Sequence, residues 1–215
     1  MAKRIFVTAT NTDVGKTYTT LKMLEEYASR GLRVGAIKPV ETGVVDGVYL
    51  DGSLLLETLQ RLNPAFGELS VQDIVPLSYD LPAAPYIASR GAAFDFELVN
   101  AAIKKLEALC DVLIIEGAGG LYVPVDGTFM IVDLISYFNA TPILITHCAL
   151  GCINDTLLSL QTLKNKGFSP VFAFNCRAED TAFTTISEPF FLHNKYDVLK
   201  VNEDIDTICD LLYNL

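Results

Sequence analysis

Apolar runs of strand length recur at residues 5–7, 33–37, 112–115, 143–145 and 171–174. Most are continuous rather than alternating, which is the pattern of strands covered on both faces. Between them, apolar residues fall at helical spacing: Leu21, Leu24 and Ala28; Leu54, Leu55 and Leu59; Leu98, Ala102, Leu106 and Leu109; Val132, Ile135 and Phe138; Leu157, Leu160 and Leu163. Parallel strands need crossover connections and helices supply them, so this alternation predicts a doubly wound α/β fold with a mostly parallel sheet. Residues 63–95 fit the scheme least well, because Pro64, Pro76, Pro82 and Pro85 interrupt any long helix or central strand. A long irregular loop in a compact fold usually has a job. No repeat, low-complexity stretch or composition shift marks a boundary, so a single domain over residues 1–215 is expected.

Composition narrows the class. Of 215 residues, 51% are apolar and 20% charged. A chain of this length buries roughly 70% of its unfolded surface, so its core needs no disulfide or zinc staple. The five cysteines, Cys110, Cys148, Cys152, Cys176 and Cys209, are odd in number and contain no Cys-x-x-Cys, so neither a disulfide framework nor a zinc ribbon is signalled. Cys148 and Cys152 read as buried small hydrophobes, and a reducing cytoplasm is the expected location. The net charge of −10, without any lysine or arginine run, argues against a nucleic-acid partner. Lys3 and Arg4 are followed by only three apolar residues before Thr8, too few for a signal peptide. No run reaches the length of a membrane span, so no membrane partner is expected.

The strongest chemical signal follows the first strand: Ala9-Thr10-Asn11-Thr12-Asp13-Val14-Gly15-Lys16-Thr17, with helical periodicity beginning at once. A phosphate-binding loop needs a glycine where amides approach phosphate, a lysine for the β/γ-phosphates and a hydroxyl for Mg²⁺ at a helix start. Lys16 and Thr17 fill the last two roles, although Thr10 stands where the usual pattern has its first glycine. The plain alternative is a helix start with an exposed lysine. Glu116, followed by Gly117-Ala118-Gly119-Gly120, ends an apolar strand, where it either lies solvated or faces the crevice outside the strand ends as a metal ligand. The glycines would let backbone come close to a ligand. Lys38-Pro39-Val40-Glu41-Thr42-Gly43 puts a second lysine at a strand end, either exposed or paired with Lys16 around an anion. Asp51 suits an N-cap or a second metal carboxylate. In the run from Ala149 to Asp155, Asn154 or Asp155 reads as an N-cap, and free amides there would favour a carboxylate. His147 and His193 show no recognisable acid or hydroxyl partner, so no hydrolase triad is suggested.

Four of these motifs, in this order, resemble the dethiobiotin synthetase family: residues 12–17, residues 38–43, Glu116-Gly117-Ala118-Gly119-Gly120-Leu121-Tyr122-Val123-Pro124, and Leu150-Gly151-Cys152-Ile153-Asn154. The resemblance runs from about residue 3 to residue 176. It implies a P-loop enzyme that uses ATP and Mg²⁺ to close the diamine 7,8-diaminononanoate with CO₂ into the cyclic urea dethiobiotin, through a carbamate and a carbamic-phosphoric anhydride. On this likeness Asp13, Val14, Gly15, Lys16, Thr17 and Tyr18 hold the phosphates and Asn175 meets the base. Lys16 and Lys38 are the catalytic residues, and Thr17, Asp51 and Glu116 hold Mg²⁺. Thr12, Lys38, Thr42, Gly119 and Leu121 contact the reacting end of the substrate. Gly151, Cys152, Ile153 and Asn154 anchor its carboxylate from the second subunit of a homodimer. Three departures stand out: Ala9 for a glycine, which would tighten the loop but leaves Lys16 and Thr17 untouched, and Cys176 for an aspartate with no Gly-x-x-Pro segment between Phe190 and Val201, which predict loose selection of the base. P-loop switch ATPases of the partition and septum-site type are the rival class, but their loop carries an extra lysine where Thr10 and Asn11 stand. Their membrane-binding members end in a basic helix, whereas residues 202–215 are amphipathic and acidic. The synthetase domain of a glutamine-dependent amidase is a second rival, lacking here an ammonia source.

Overall fold

The computed structural model describes residues 2–215. Its main sheet has five strands in the order β2-β5-β1-β6-β7, all parallel: β1 (Lys3–Ala9), β2 (Val34–Ile37), β5 (Val112–Gly120), β6 (Thr141–His147) and β7 (Val171–Asn175). Each contains one of the predicted runs except β2, which begins one residue later than its run, at Val34, and Ile5, Phe6, Val7, Ile114, Ile115 and Ile143 are fully buried, as strands covered on both faces require. Helix α1 (Lys16–Ser29) carries the chain from β1 past β5 to the edge strand β2, after which the winding reverses. Right-handed crossovers then place α1 on one face and α5 (Phe96–Glu107), α6 (Ile131–Tyr137) and α7 (Cys152–Asn165) on the other. Accordingly α1 packs with α2 (Leu50–Leu62) and with α10 (Ile205–Asn214), while Phe96 of α5 meets Tyr137 of α6 with ring centroids 4.3 Å apart. The buried stripe of α5 is Val99, Ile103 and Leu106, one position round from the expected face, and Leu98 is half exposed.

The proline-interrupted region divides into short pieces. A 3₁₀ turn (Pro64–Phe66), α3 (Val71–Ile74) and α4 (Pro85–Ala88) flank β4 (Leu77–Tyr79), which pairs in parallel with β3 (Val40–Thr42). This two-stranded ribbon holds the segment that follows β2 in place. Helices α8 (Phe183–Ile186) and α9 (Glu188–His193) fill the stretch before α10. Among the described residues, no helix is long and apolar enough to cross a membrane.

Two expectations about cysteine and histidine are corrected by strand register. His147 lies opposite Asn175 where β6 pairs with β7, so the next residues, Cys148 and Cys176, face each other and form a disulfide with Cα atoms 4.9 Å apart. Cys148 is therefore a bonded half-cystine, whereas Cys152 is a buried free thiol, as expected. His147 does have an acid partner: its Nε2 lies 3.0 Å from Asp155 Oδ2 on α7. Asp155, engaged by His147, is held below the usual carboxylate range.

Candidate active site

The carboxyl ends of β1, β2 and β5 converge, and the first residues beyond them, or near their ends, are the reactive ones. Lys16 opens α1 directly after Gly15, which takes φ +103°, a conformation that favours glycine. A methyl group at Gly15 would also lie 2.0 Å from Asn175 Nδ2, which donates to the Val14 carbonyl at 2.9 Å. Lys38 leaves β2 and turns under the loop. Its ammonium bonds Glu116 Oε1 at 2.9 Å and also the Asp51 carboxylate. Thr17 Oγ1 lies 2.8 Å from Glu116 Oε1 and 2.9 Å from Asp51 Oδ1, and the Thr20 hydroxyl donates to Glu116 Oε2 at 2.8 Å. Glu116 is completely buried, so the plain reading of a solvated strand end does not apply.

Opposing charges decide the protonation states. Burial works against the Lys38 ammonium, but Glu116 and Asp51 outweigh it and hold the group above its ordinary value. Burial likewise pushes Asp51 up, and Lys38 with the Thr17 hydroxyl brings it below the usual carboxylate range. Lys16 is lowered, chiefly by burial and further by Lys38, against the pull of Glu116.

Asp51 is not the N-cap of α2. It sits within the first turn, while Glu41 accepts from the backbone amides of Asp51 at 3.0 Å and Gly52 at 2.9 Å, closing the helix start from β3. Asp51 is thereby freed to point at Lys38 and Thr17. Thr17, Asp51 and Glu116 form an all-oxygen donor set suited to Mg²⁺, which takes one or two carboxylates and completes its shell with water and phosphate. Among the described residues, no group of three or more His, Cys, Asp and Glu side chains gathers to hold a metal without such outside ligands.

Over these groups opens a cavity of about 630 Å³. Of the expected contacts, Thr12, Asp13, Gly15, Lys16, Thr17, Tyr18, Lys38, Thr42, Asp51 and Gly119 line it. Val14, Glu116, Leu121 and Asn175 do not, Glu116 lying buried behind Lys38 and Thr17, and neither does any of Gly151, Cys152, Ile153 and Asn154. The cap of α7 is Gly151, at φ +100°, rather than Asn154 or Asp155, and Leu150 before it is almost wholly exposed. Gly117 and Gly120 approach protein rather than ligand: added methyls would meet the Phe6 ring and the Thr10 carbonyl, each at 3.0 Å.

Sequence reasoning assigned no role to Glu41, Thr20, Arg177 or the wall from Pro82 to Pro85, all of which touch or support the cavity. Thr20 was within reach of pattern, since it follows Lys16 by one helical turn and shares its face. Of residues 63–95, Pro82, Ala83, Ala84 and Pro85 line the cavity.

Fold and site together define a P-loop α/β protein of the nucleotide-binding class. The family model described as "AAA domain" matches residues 3–208. A plasmid partition protein from Borrelia burgdorferi superposes with a TM-score of 0.55 at 11% identity, covering 99% of this chain and 98% of that one. The MinC:MinD cell division protein complex of Aquifex aeolicus gives 0.52 at 15%, covering 98% and 86%. At these identities the likeness concerns the fold alone. Sequence relatives decide further. The chain is 41% identical over 187 residues to the ATP-dependent dethiobiotin synthetase BioD of Sulfurovum sp. (strain NBC37-1), covering 87% of this chain and 89% of that protein. It is 32% identical over 213 residues to the protein of the same name from Wolinella succinogenes, covering 98% of each. The chain belongs to the dethiobiotin synthetase family of ATP-using ligases.

Proposed function

We propose that the chain makes dethiobiotin from 7,8-diaminononanoate, CO₂ and ATP, acting as one P-loop domain in the cytoplasm. The observation that carries the reading is the sharing of one cavity by Lys16, Lys38, Thr17 and Asp51, with Glu116 buried just behind and bonded to Lys38 and Thr17. Phosphoryl transfer asks a protein mainly for positioning and charge stabilisation, and this site offers both without a covalent nucleophile.

In the proposed sequence one substrate amine takes up CO₂ and loses a proton to give a carbamate. A carbamate oxygen then takes the γ-phosphoryl group and releases ADP. The second amine attacks the carbonyl carbon of the mixed anhydride, the C–O bond to phosphate breaks, and the ring closes as the amine proton is lost. Lys16 holds the β/γ-phosphates. Lys38, kept charged by Glu116 and Asp51, spans carbamate and γ-phosphate and offsets the charge that develops between them. Thr12, Thr42 and Gly119 line the part of the cavity that receives the carbamate end. Thr17, Asp51 and Glu116 would hold Mg²⁺, which supplies charge neutralisation on the triphosphate.

A homodimer completes the reading. Segment 151–154 stands outside its own chain's cavity, which favours its serving the substrate carboxylate of a partner subunit. The activity is tested by supplying the protein with diaminononanoate, labelled bicarbonate, ATP and Mg²⁺. Label in a cyclic urea is expected. Its absence, with a known synthetase active alongside, would overturn the reading.

A further inference from the structure

Arg177 stands just beyond β7, and its side chain lines the same cavity as Lys16 and Lys38. Two of the residues here are fastened to the phosphate loop, Asn175 to the Val14 carbonyl and Arg177 itself, through Nη2, to the Asp13 carbonyl, while Cys176 between them is bonded to Cys148 at the end of β6. The Arg177 backbone amide is held by Asp180 Oδ2 at 2.8 Å. The cavity's other two cations already face carboxylates: Lys38 is paired with Asp51 and Glu116, and Lys16 feels Glu116 and Asp51. Among the described residues, Arg177 makes no ion pair. Of its five side-chain N–H donors, one is committed to Asp13.

A guanidinium set on a phosphate loop, with most donors free and no acid to neutralise it, fits an anion with several charged oxygens. We infer that Arg177 is a direct contact of the nucleotide's phosphate chain, an inference that rests on the nucleotide reading of the cavity. Nucleotide affinity in this chain then draws on the phosphates more than on the base. The bond to the Asp13 carbonyl keeps the guanidinium beside the loop.

The test is binding rather than turnover. Calorimetry with ADP, and with inorganic tripolyphosphate as a probe that has no base, is run on the full chain and on Arg177→Ala, Arg177→Gln and Arg177→Lys, with thermal melts to check folding. The glutamine variant keeps a polar amide donor but carries no charge. Loss of charge-assisted hydrogen bonds is expected to weaken both probes about 10- to 100-fold in the alanine and glutamine variants. Lysine should recover a large part of that loss, and the KM for diamine should stay unchanged. Unaltered tripolyphosphate affinity in Arg177→Ala would overturn the inference, and so would full rescue by glutamine, which would make Arg177 a brace for the loop. If the unmutated protein binds neither probe, the nucleotide reading itself falls.

Discussion

Replacing Lys38 by methionine removes the charge that is bonded directly to both Glu116 and Asp51. Glu116 is completely buried and lies 2.9 Å from the ammonium, so in the variant it keeps only hydroxyl donors, from Thr17 and Thr20. Breaking a buried pair by removing one partner costs about 3–5 kcal/mol, and the two hydroxyls place this case near about 3 kcal/mol. For a chain of this size that corresponds to a melting point lower by about 6–12 °C. The pH dependence should also change. In the native protein Lys38 is held above its ordinary value, so its contribution is complete below the unfolded lysine pKa and is lost as pH rises through the folded one. Asp51 is held below its ordinary value, so its contribution is present above the unfolded aspartate pKa and is lost as pH falls through the folded one. The contribution of these two groups should therefore be nearly flat between about pH 5 and about pH 9. In Lys38→Met Asp51 loses the ammonium that holds it down, so the loss of stability on acidification should shrink. Turnover should drop by roughly 10² or more with nucleotide affinity much less affected, because Lys38 acts on charge that develops during transfer. Melts at several pH values, with steady-state kinetics and ADP calorimetry, supply the measurements. A melting point within about 2 °C of the native one at neutral pH, or near-normal turnover, would refute the reasoning.

Other perturbations probe separate parts of the account. Gly15→Ala forces a side chain to φ +103° and displaces the Asn175 amide, so a stability loss of about 2 kcal/mol and weak ADP binding are expected from melts and calorimetry. Cys148→Ser opens a link between residues 28 apart in sequence; chain entropy puts its cost at about 3–4 kcal/mol, or a melting point lower by about 10 °C, and reductant should mimic the substitution in the oxidised native protein. Mixing Lys16→Ala subunits with Asn154→Glu subunits should restore activity at limiting diamine once subunits exchange, since one site of each heterodimer inherits neither lesion. Verified heterodimers without recovery would put the carboxylate anchor within one chain.

The main sheet was legible because its strands are buried on both faces and so appear as unbroken apolar runs, and Gly15-Lys16-Thr17 was legible because its residues are contiguous. The pairing of β3 with β4 was not, since strands of three residues carry no usable period and proline masks one of them. Cys148–Cys176 and His147–Asp155 depend on how β6 aligns with β7 and on where α7 begins, and neither is encoded in spacing. Asp51 seemed equally fit to cap or to coordinate until Glu41 was seen closing the start of α2 from another strand. The face of α5 was misread by one position because Leu98 and Val99 are both apolar, and only packing distinguishes them.

The central claim is phosphoryl transfer onto the carbamate oxygen, and the fate of an oxygen label tests it most directly. With ¹⁸O-labelled CO₂, diaminononanoate, ATP and Mg²⁺, reacted briefly and quenched before the label exchanges with water, the account requires one carbamate oxygen to leave with phosphate and the other to remain in the cyclic urea. Inorganic phosphate carrying one ¹⁸O for each ADP formed is the expected result. Unlabelled phosphate released together with dethiobiotin would contradict the account.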